Sequence, residues 1–232
     1  MRSRVEQRTA DQQAAPTAAI IRVALENSAP RNTSEWRALR RGWSRALKGW
    51  PATDVIELGV KLIDLSLWGR ITAYELIACH PSGVASLTSD SIRRLGDGLA
   101  DWSGVDTFAC YLAGPAWREG RLPTRQVHVW LRSSNRWERR TAVVCTVALN
   151  VPARGGSGDV DRTLEVCRRV VADRDDMVVK AVSWALRSLI QWDRAAVARF
   201  VKTHDATLAP RVKREVGNKL KTGHKNLPRD QR

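Results

Sequence analysis

Trp184 lies among cations on the polar face of a predicted helix. In the segment 176–191, apolar residues recur at i, i+4, i+7 and i+11, which predicts a helix with one buried stripe. The stripe consists of Val178, Val182, Ala185 and Leu189. Trp184 falls on the opposite face, spaced with Lys180, Arg187 and Gln191. Nucleic acid is the ligand that best covers such a surface, because it offers both flat bases and anionic phosphates.

Arg140 is a cation on an apolar helix face. In the predicted helix 135–149 it is in register with three valines, namely Val143, Val144 and Val147. An uncompensated buried charge costs several kcal/mol, so Arg140 requires a carboxylate or a phosphate. A structural ion pair and a phosphate contact both remain open. We predict an acidic partner, with Asp106 as the first candidate.

Asp106 is a candidate catalytic carboxylate. It follows the sequence Asp101-Trp-Ser-Gly-Val and lies near the start of a predicted apolar helix, 105–112. The helix N-terminus stabilises a negative charge at such a position, so helix capping is one explanation. An ionised acid held at a reaction centre is the other. The spacing alone does not decide between them.

Basic ridges recur along the chain. In the predicted helix 34–48, an apolar stripe is formed by Trp36, Leu39, Trp43 and Leu47. The other side carries the basic ridge Arg37, Arg41, Arg45 and Lys48. A second ridge near the C-terminus contains Arg211, Lys213, Arg214, Lys219 and Lys221. One such ridge is compatible with a solvated surface, but repeated ridges indicate a groove that follows phosphates.

The composition favours a polyanionic partner. The 232 residues include 39 Lys and Arg against 24 Asp and Glu, which gives a net charge of +15. No apolar run approaches the ~18 residues that span a bilayer, and the polar start resembles no signal peptide. We therefore expect a cytoplasmic protein associated with the nucleoid, not a membrane protein. The four scattered cysteines predict buried thiols and no metal site.

The whole chain has a helical pattern. The predicted helices are 17–27, 34–48, 53–67, 71–79, 90–100, 105–112, 124–132, 135–149, 160–172, 176–191, 193–203 and 210–221. Consecutive helices form pairs at intervals of roughly 30–40 residues, which is typical of HEAT-like repeats. The expected fold is an all-α solenoid with a concave basic DNA-binding face, and a compact helical bundle is the alternative. We predict a mobile arm over 1–16, one domain over 17–221 and a basic tail over 222–232.

Three stretches resemble motifs of the AlkD-type DNA alkylation repair glycosylases. They are Trp102-Ser-Gly-Val-Asp106, Trp137-Glu-Arg-Arg140-Thr-Ala and Lys180-Ala-Val-Ser-Trp184-Ala-Leu-Arg187. They occur in the family's order and at similar separations. The stretch Leu208-Ala-Pro-Arg-Val-Lys-Arg-Glu-Val also resembles the closing helix of that family. The resemblance covers roughly residues 30–221, and three co-linear motifs are far more specific than one.

The resemblance implies a HEAT-like solenoid that cradles duplex DNA and hydrolyses the N-glycosidic bond of N3- and N7-alkylated purines. It implies that the lesion is not flipped into a pocket. Asp106 would be the catalytic carboxylate, with Trp102 and Trp184 as aromatic walls. Arg140 would brace the site and Arg187 would contact the backbone. We also predict DNA-binding roles for Arg140 and for further cations: Lys180, Arg139, Arg37, Arg41, Arg45, Lys48, Arg211 and Arg214.

The chemistry of the expected substrate agrees with these residues. An N3- or N7-alkylpurine is cationic and therefore leaves without a general acid. An ionised aspartate stabilises the oxocarbenium-like sugar and positions water, and indole faces attract the cationic sugar. We expect no metal, no cofactor and no Schiff-base lysine. The prediction is a monomeric, monofunctional glycosylase that acts on double-stranded DNA with alkylated purines.

Two alternatives remain from the sequence. A non-enzymatic HEAT module that binds DNA or protein would explain the charge, though not an aspartate opposite two tryptophans. Within the enzyme class, an open site would tolerate bulky purine adducts left by a DNA-alkylating natural product, which would give self-resistance to its producer. The N-terminal quarter matches the family poorly, and the predicted flexible loop 152–158 is longer than expected. The range of substrates therefore stays open.

Overall fold

The structure is a computed structural model that describes residues 4–28, 33–64 and 67–226. Within these ranges the regular elements are helices and no strand occurs, which confirms the all-α prediction. Polar side chains begin many of the helices by accepting hydrogen bonds from otherwise unpaired backbone N–H groups. From residue 101 onward these capping residues are Asp101, Asn135, Asp159, Asp175 and Asp193.

The chain divides into two compact units, and the first comprises residues up to Gly98 together with Glu119–Leu122. Its helices are α1 (Arg4–Ser28), α2 (Thr33–Ala46), α3 (Ala52–Ile63), α4 (Leu67–Cys79) and α5 (Ser89–Gly96), with a short 3-10 turn at Val84–Ser86. The α3–α4 pair packs together and also contacts α1. Apolar side chains such as Leu58, Leu62 and Ile77 are buried and form the core of this unit.

The second unit comprises Leu99–Arg118 and the chain from Pro123 onward. Its helices are α6 (Trp102–Phe108), α7 (Gly114–Arg118), α8 (Thr124–Leu131), α9 (Arg136–Asn150), α10 (Val160–Arg169), α11 (Asp176–Leu189), α12 (Arg194–Thr203) and α13 (Pro210–Thr222). A π-helical turn, Ala109–Ala113, joins α6 to α7, and a 3-10 turn at Pro152–Arg154 follows α9. Helix α9 lies at the centre, because residues 140–150 are all buried.

Four of the predicted pairs of consecutive helices pack together. The pairs α3–α4, α8–α9, α10–α11 and α12–α13 are all in contact, which is consistent with a helical-repeat protein. The apolar stripe predicted for α11 is buried throughout its length. The concave basic face and the single domain over 17–221 stay predictions.

Several predicted boundaries are wrong. Helix α1 begins at Arg4 and contains Pro16, whereas the sequence predicted a helix that begins at residue 17. The mobility of the arm over 1–16 stays a prediction. Helix α2 ends at Ala46, so Lys48 lies in the following turn. The predicted helix 105–112 is part of one helical run from Trp102 to Arg118, because Asp101 caps it earlier. Parts of three predictions lie outside the described residues, namely 1–3 of the arm, 65–66 of the predicted helix 53–67, and 227–232 of the tail.

The loop 152–158, predicted to be flexible, is fixed at several points. The Gly158 N–H donates to the Leu149 carbonyl at 3.1 Å, and Arg118 Nη1 donates to the Arg154 carbonyl at 2.8 Å. The guanidinium carbon of Arg154 lies 3.6 Å from the centroid of the Tyr111 ring. These contacts hold both ends of the loop against the second unit.

The prediction of four buried thiols holds for three of them. Cys110, Cys145 and Cys167 are buried, and burial raises the pKa of Cys110 and of Cys167 to about 12. Cys79 is exposed, because α4 ends there. Its predicted burial is therefore wrong.

Candidate active site

Asp106 and Arg140 form a bidentate ion pair. Arg140 Nε donates to Asp106 Oδ1 at 2.9 Å, and Arg140 Nη2 donates to Asp106 Oδ2 at 2.7 Å. Arg140 is only 5% exposed, so its charge depends on this partner. The predicted pairing of Arg140 with an acid, and with Asp106 in particular, is confirmed.

The third arm of the Arg140 guanidinium anchors the pair to α11. Arg140 Nη1 donates to the Met177 carbonyl at 2.5 Å, in the first turn of that helix. Three helices thus meet at one guanidinium: α6 supplies the carboxylate, α9 the cation and α11 the carbonyl. The planar fork of an arginine suits this arrangement, because its donors point in fixed directions. This geometry favours a positioning role for Arg140 over direct contact with DNA.

The helix-capping explanation for Asp106 is wrong. Asp101 is the N-cap of α6, and its Oδ1 accepts from the backbone N–H groups of Ser103 and Gly104 at 2.8 and 2.9 Å. Asp106 lies in the next turn and directs its carboxylate to α9. Burial raises the pKa of the Asp106 carboxyl, whereas the hydrogen bonds and charge of Arg140 lower it and Asp101 adds to the rise.

A close helix contact holds α6 and α7 against α9. A Cβ atom added at Gly114 would lie 2.6 Å from the Ala148 Cβ and 2.7 Å from the Cys145 carbonyl oxygen, so the backbones approach closely there. The π-helical turn Ala109–Ala113 starts three residues after Asp106. Such turns are rare and frequently occur at functional sites. Neither feature has a signal in the helix-period pattern, so neither was predicted from the sequence.

Trp102 is the first residue of α6 and is 58% exposed. A large aromatic side chain with that exposure is free to stack on a ligand. Asp106 lies one turn further along the same helix, and its side chain retains 17% exposure. An accessible carboxylate and an exposed indole therefore share one short helix.

Trp184 lies on α11 outside the buried apolar stripe, and its side chain is partly exposed, as predicted. It lines a shallow pocket together with Arg187, Lys219, His224 and Lys225. The structure thus brings Trp184 together with Arg187, one of the predicted DNA-binding residues. The arrangement of Trp102 and Trp184 as two walls of one site stays a prediction.

The other predicted DNA-binding cations of the second unit have acidic partners in most cases. Arg139 Nε lies 2.7 Å from Asp173 Oδ2. Lys180 Nζ lies 2.6 Å from Asp176 Oδ2, and Arg211 Nη1 lies 3.0 Å from Asp176 Oδ1. Arg214 is exposed. The Arg139 pair links α9 to the segment before α11, and the Arg211 pair links α13 to α11. All three pairs leave their cations less free to bind phosphate.

The basic ridge of the first unit faces solvent. Arg41, Arg45 and Lys48 are exposed, and Arg37 Nε lies 3.9 Å from Glu75 Oε1. On the other face Trp36 is buried, and its Nε1 donates to Thr72 Oγ1 at 2.9 Å. The predicted division of this helix into an apolar and a basic face is confirmed.

One residue near the site, Glu215, was not predicted from the sequence. Glu215 on α13 is 5% exposed and lies under the Trp184 pocket, where its Oε2 accepts from Ser183 Oγ at 2.6 Å. A glutamate directly after Arg214 in a basic helix is typical of a solvated charge. Its burial depends on the packing of α13 against α11, which the local sequence does not encode.

The described residues contain no group of three or more His, Cys, Asp or Glu side chains arranged to hold a metal ion. Among the same residues, no helix combines the length and apolar character needed to cross a membrane.

The chain matches the model of a family described as DNA alkylation repair enzyme over residues 18–220. It belongs to that family, so the resemblance found in the three motifs is confirmed. Membership assigns the chain to the enzymes that repair alkylation damage, with DNA as the partner. Neither the curated proteins nor the solved structures include a significant match.

Proposed function

We propose that this protein is a monofunctional DNA glycosylase that hydrolyses the N-glycosidic bond of cationic N3- and N7-alkylated purines in duplex DNA without flipping the base. The observation that carries the proposal is the bidentate Asp106–Arg140 pair beside the exposed Trp102. Family membership supplies the substrate class, damaged DNA. The charge of +15 favours a DNA partner as well.

Asp106 acts on the sugar and on water. As the bond to the cationic purine breaks, positive charge develops at the sugar, and a fixed carboxylate stabilises it. Each Asp106 oxygen accepts one hydrogen bond from Arg140, which leaves a second lone pair on each for a water molecule. The water attacks the anomeric carbon and transfers its proton to Asp106 or onward to solvent. The alkylpurine leaves as a neutral base, so no general acid is needed.

Arg140 acts through Asp106 as a positioning residue. Its charge favours the ionised carboxylate against the effect of burial, and its fork fixes the orientation of both oxygens. The contact with the Met177 carbonyl prevents the guanidinium from turning toward DNA. The carboxylate is therefore preorganised before the lesion binds.

Trp102 and Trp184 supply aromatic surfaces for the damaged nucleotide. An indole face attracts a cationic sugar or alkylpurine by a cation–π contact. The 58% exposure of Trp102 leaves its ring open to the solvent side. An open wall also tolerates a bulky substituent, so we include bulky natural-product adducts among the expected substrates, with self-resistance of a producer as the biological role. The expected form is a cytoplasmic monomer bound to the nucleoid.

Single-turnover base release tests this proposal. Duplex DNA methylated at N7 of guanine or N3 of adenine is incubated with excess protein, and released bases are separated from DNA without heating. We expect release of free methylpurine, an intact abasic strand and no strand cleavage. A parallel titration measures binding to the same duplex.

The binding titration separates the two function classes. Binding without release from any alkylated duplex would favour the non-enzymatic HEAT module, for which the net charge provides the support. Strand cleavage at the abasic site would contradict the monofunctional chemistry.

A further inference from the structure

A further pocket lies between α10 and α12, outside the candidate active site. Its volume is about 290 Å³, and its apolar lining consists of Leu164 from α10 with Ala196 and Phe200 from α12. The candidate active site is carried by other helices, namely α6, α9 and α11. Pockets for small molecules usually start at about 300 Å³, so this cavity is better suited to one or two side chains of a partner.

The lining residues lie on one side of each helix. On α10, Arg168 follows Leu164 by four positions, and on α12 the lining residues 196, 199, 200 and 203 recur at i, i+3, i+4 and i+7. Residues with this spacing are neighbours on a helix surface. Helices α10 and α12 are in contact within the second unit. The pocket is therefore a groove between these two helices, and we call it the α10–α12 groove.

The floor of the α10–α12 groove is apolar. Ala196 and Phe200 are buried, and Leu164 is half-buried. The Phe200 ring packs against the His204 ring, with centroids 4.6 Å apart and an interplanar angle of 56°. A ring inserted beside Phe200 would bury apolar surface and make aromatic edge contacts. An apolar side chain therefore fits this floor better than a phosphate does, because burial of a charged group without full pairing is costly.

The rim of the α10–α12 groove is basic. Arg168 and Arg199 both line the groove, and both are exposed. Across the part of the chain that the structure describes, neither guanidinium has a carboxylate oxygen within 4.0 Å. The adjacent Arg169 is different, since it is ion-paired with Glu165 at 2.7 Å. The two rim arginines therefore retain their donors for the carboxylates of a partner.

We propose that the α10–α12 groove is a docking site for an acidic peptide segment of a partner protein. An aromatic or large aliphatic side chain of the segment enters the groove, and flanking carboxylates pair with Arg168 and Arg199. Charge complementarity together with the apolar floor identifies this occupant. Duplex DNA satisfies only the basic rim, because its bases are stacked and its outer surface is anionic. Grooves that hold the apolar anchors of a short segment are a recurring mode of peptide recognition.

Binding of a labelled peptide tests the apolar part of the proposal. The probe is a short synthetic peptide with one phenylalanine flanked by aspartates on both sides, and its affinity for the full chain is measured by fluorescence anisotropy. We expect saturable binding that becomes about tenfold weaker when alanine replaces the phenylalanine, because the burial of the ring is lost. Equal affinity of the two peptides would show that the floor is not used and would overturn the proposal. Absence of saturable binding would overturn it as well.

Arginine variants locate the peptide on the protein. Arg168→Gln and Arg199→Gln each remove one rim charge, and each should weaken binding of the acidic peptide about threefold. A control peptide carries asparagine in place of every aspartate. The two variants should bind this peptide as wild type does, because the coupling between the opposite charges is absent.

Arg194→Gln is the matched control. Arg194 is an exposed arginine of α12 that does not line the groove. Its removal lowers the net charge of +15 by the same amount, so we expect little change in affinity for the acidic peptide at physiological salt, where charges are screened over about 8 Å. A loss equal to that of the rim variants would show general attraction to a basic chain and would overturn the proposal.

Duplex DNA is the competing occupant. The affinity of an undamaged duplex is measured for wild type and the three arginine variants. If the groove binds a peptide, the two rim variants change duplex affinity no more than Arg194→Gln does. A larger loss in the rim variants would assign the groove to nucleic acid and overturn the proposal. None of these measurements requires base release, so their outcome is independent of the proposed glycosylase activity.

Discussion

Replacement of Arg140 by alanine should damage stability and activity in different ways. The side chain makes three hydrogen bonds, two to Asp106 and one to the Met177 carbonyl, and it is 5% exposed. In Arg140→Ala the Asp106 carboxylate loses its cation while the surrounding burial remains. The variant thus tests both the energetic contribution of the pair and its influence on the proposed catalytic carboxylate.

The size of the stability effect follows from the exposure of the two partners. Breaking a buried ion pair by removing one partner costs about 3–5 kcal/mol. The Asp106 side chain is 17% exposed, so water reaches the carboxylate and the lower end, about 3 kcal/mol, is expected. In a chain of this length each kcal/mol lowers Tm by about 2–4 °C, which gives a fall of about 6–12 °C.

The activity effect is a shift in the pH profile. Burial raises the pKa of Asp106 and Arg140 opposes that rise, so removal of Arg140 raises the pKa further. The ionised fraction at a given pH then falls, and the acidic limb of base release moves to higher pH. Single-turnover release is measured across pH at a temperature well below the Tm of the variant, and Tm is measured by circular dichroism.

Arg94→Ala is the control for this experiment. Arg94 forms a similar bidentate pair with Glu57 at 2.7 and 2.8 Å in the first unit, outside the candidate site. Its side chain is 33% exposed, so we expect a smaller fall in Tm and no shift of the pH profile. A fall in Tm of less than about 2 °C for Arg140→Ala would refute the energetic argument. An unshifted acidic limb would refute the link to Asp106.

Three further predictions concern the site and the surface. Asp106→Asn should slow base release on the order of 10²-fold while duplex affinity holds or rises, measured on one methylated duplex, and an unchanged rate would transfer the catalytic role elsewhere. Trp184→Ala should cost under about 1 kcal/mol in stability, against roughly 3–5 for the buried Trp117→Ala, and comparable melting losses would show that the indole of Trp184 belongs to the core. Duplex binding should weaken with salt at a slope of roughly −4 to −5 if about five phosphates are neutralised, and a slope near zero would remove the groove model.

The features of the fold and site that the sequence predicted are those that depend on residues within a single helix. The stripe of α11 is buried because a helix with a period of 3.6 residues presents its apolar positions on one side. Arg140 has an acidic partner because a charge among three valines cannot remain uncompensated. Both arguments use residues within one helix and a general energetic requirement, so one sequence was sufficient.

The parts that the sequence did not predict depend on contacts between distant segments. Arg139 pairs with Asp173 and Arg211 with Asp176, each pair separated by more than 30 positions, and nothing in either helix reveals the partner. The π-helical turn after Asp106 has no compositional signal. The glycines of the loop 152–158 indicated flexibility, yet the loop is fixed by Arg118 from another helix. Tertiary packing decided each of these features.

The net charge of the chain therefore indicates the class of partner, whereas the ion pairs of individual cations indicate which of them are candidates to bind it. The excess of +15 indicates a polyanion but does not say which of the 39 cations bind it. An arginine paired with a partly buried aspartate has its charge compensated inside the protein, as for Arg140. Arg187 has a different environment, since one of its nitrogens donates to a neutral hydroxyl and the buried Glu215 acts on its charge without a direct ion pair. Among cations of equal formal charge, the one whose internal partners leave its charge uncompensated has the most to gain from an external phosphate.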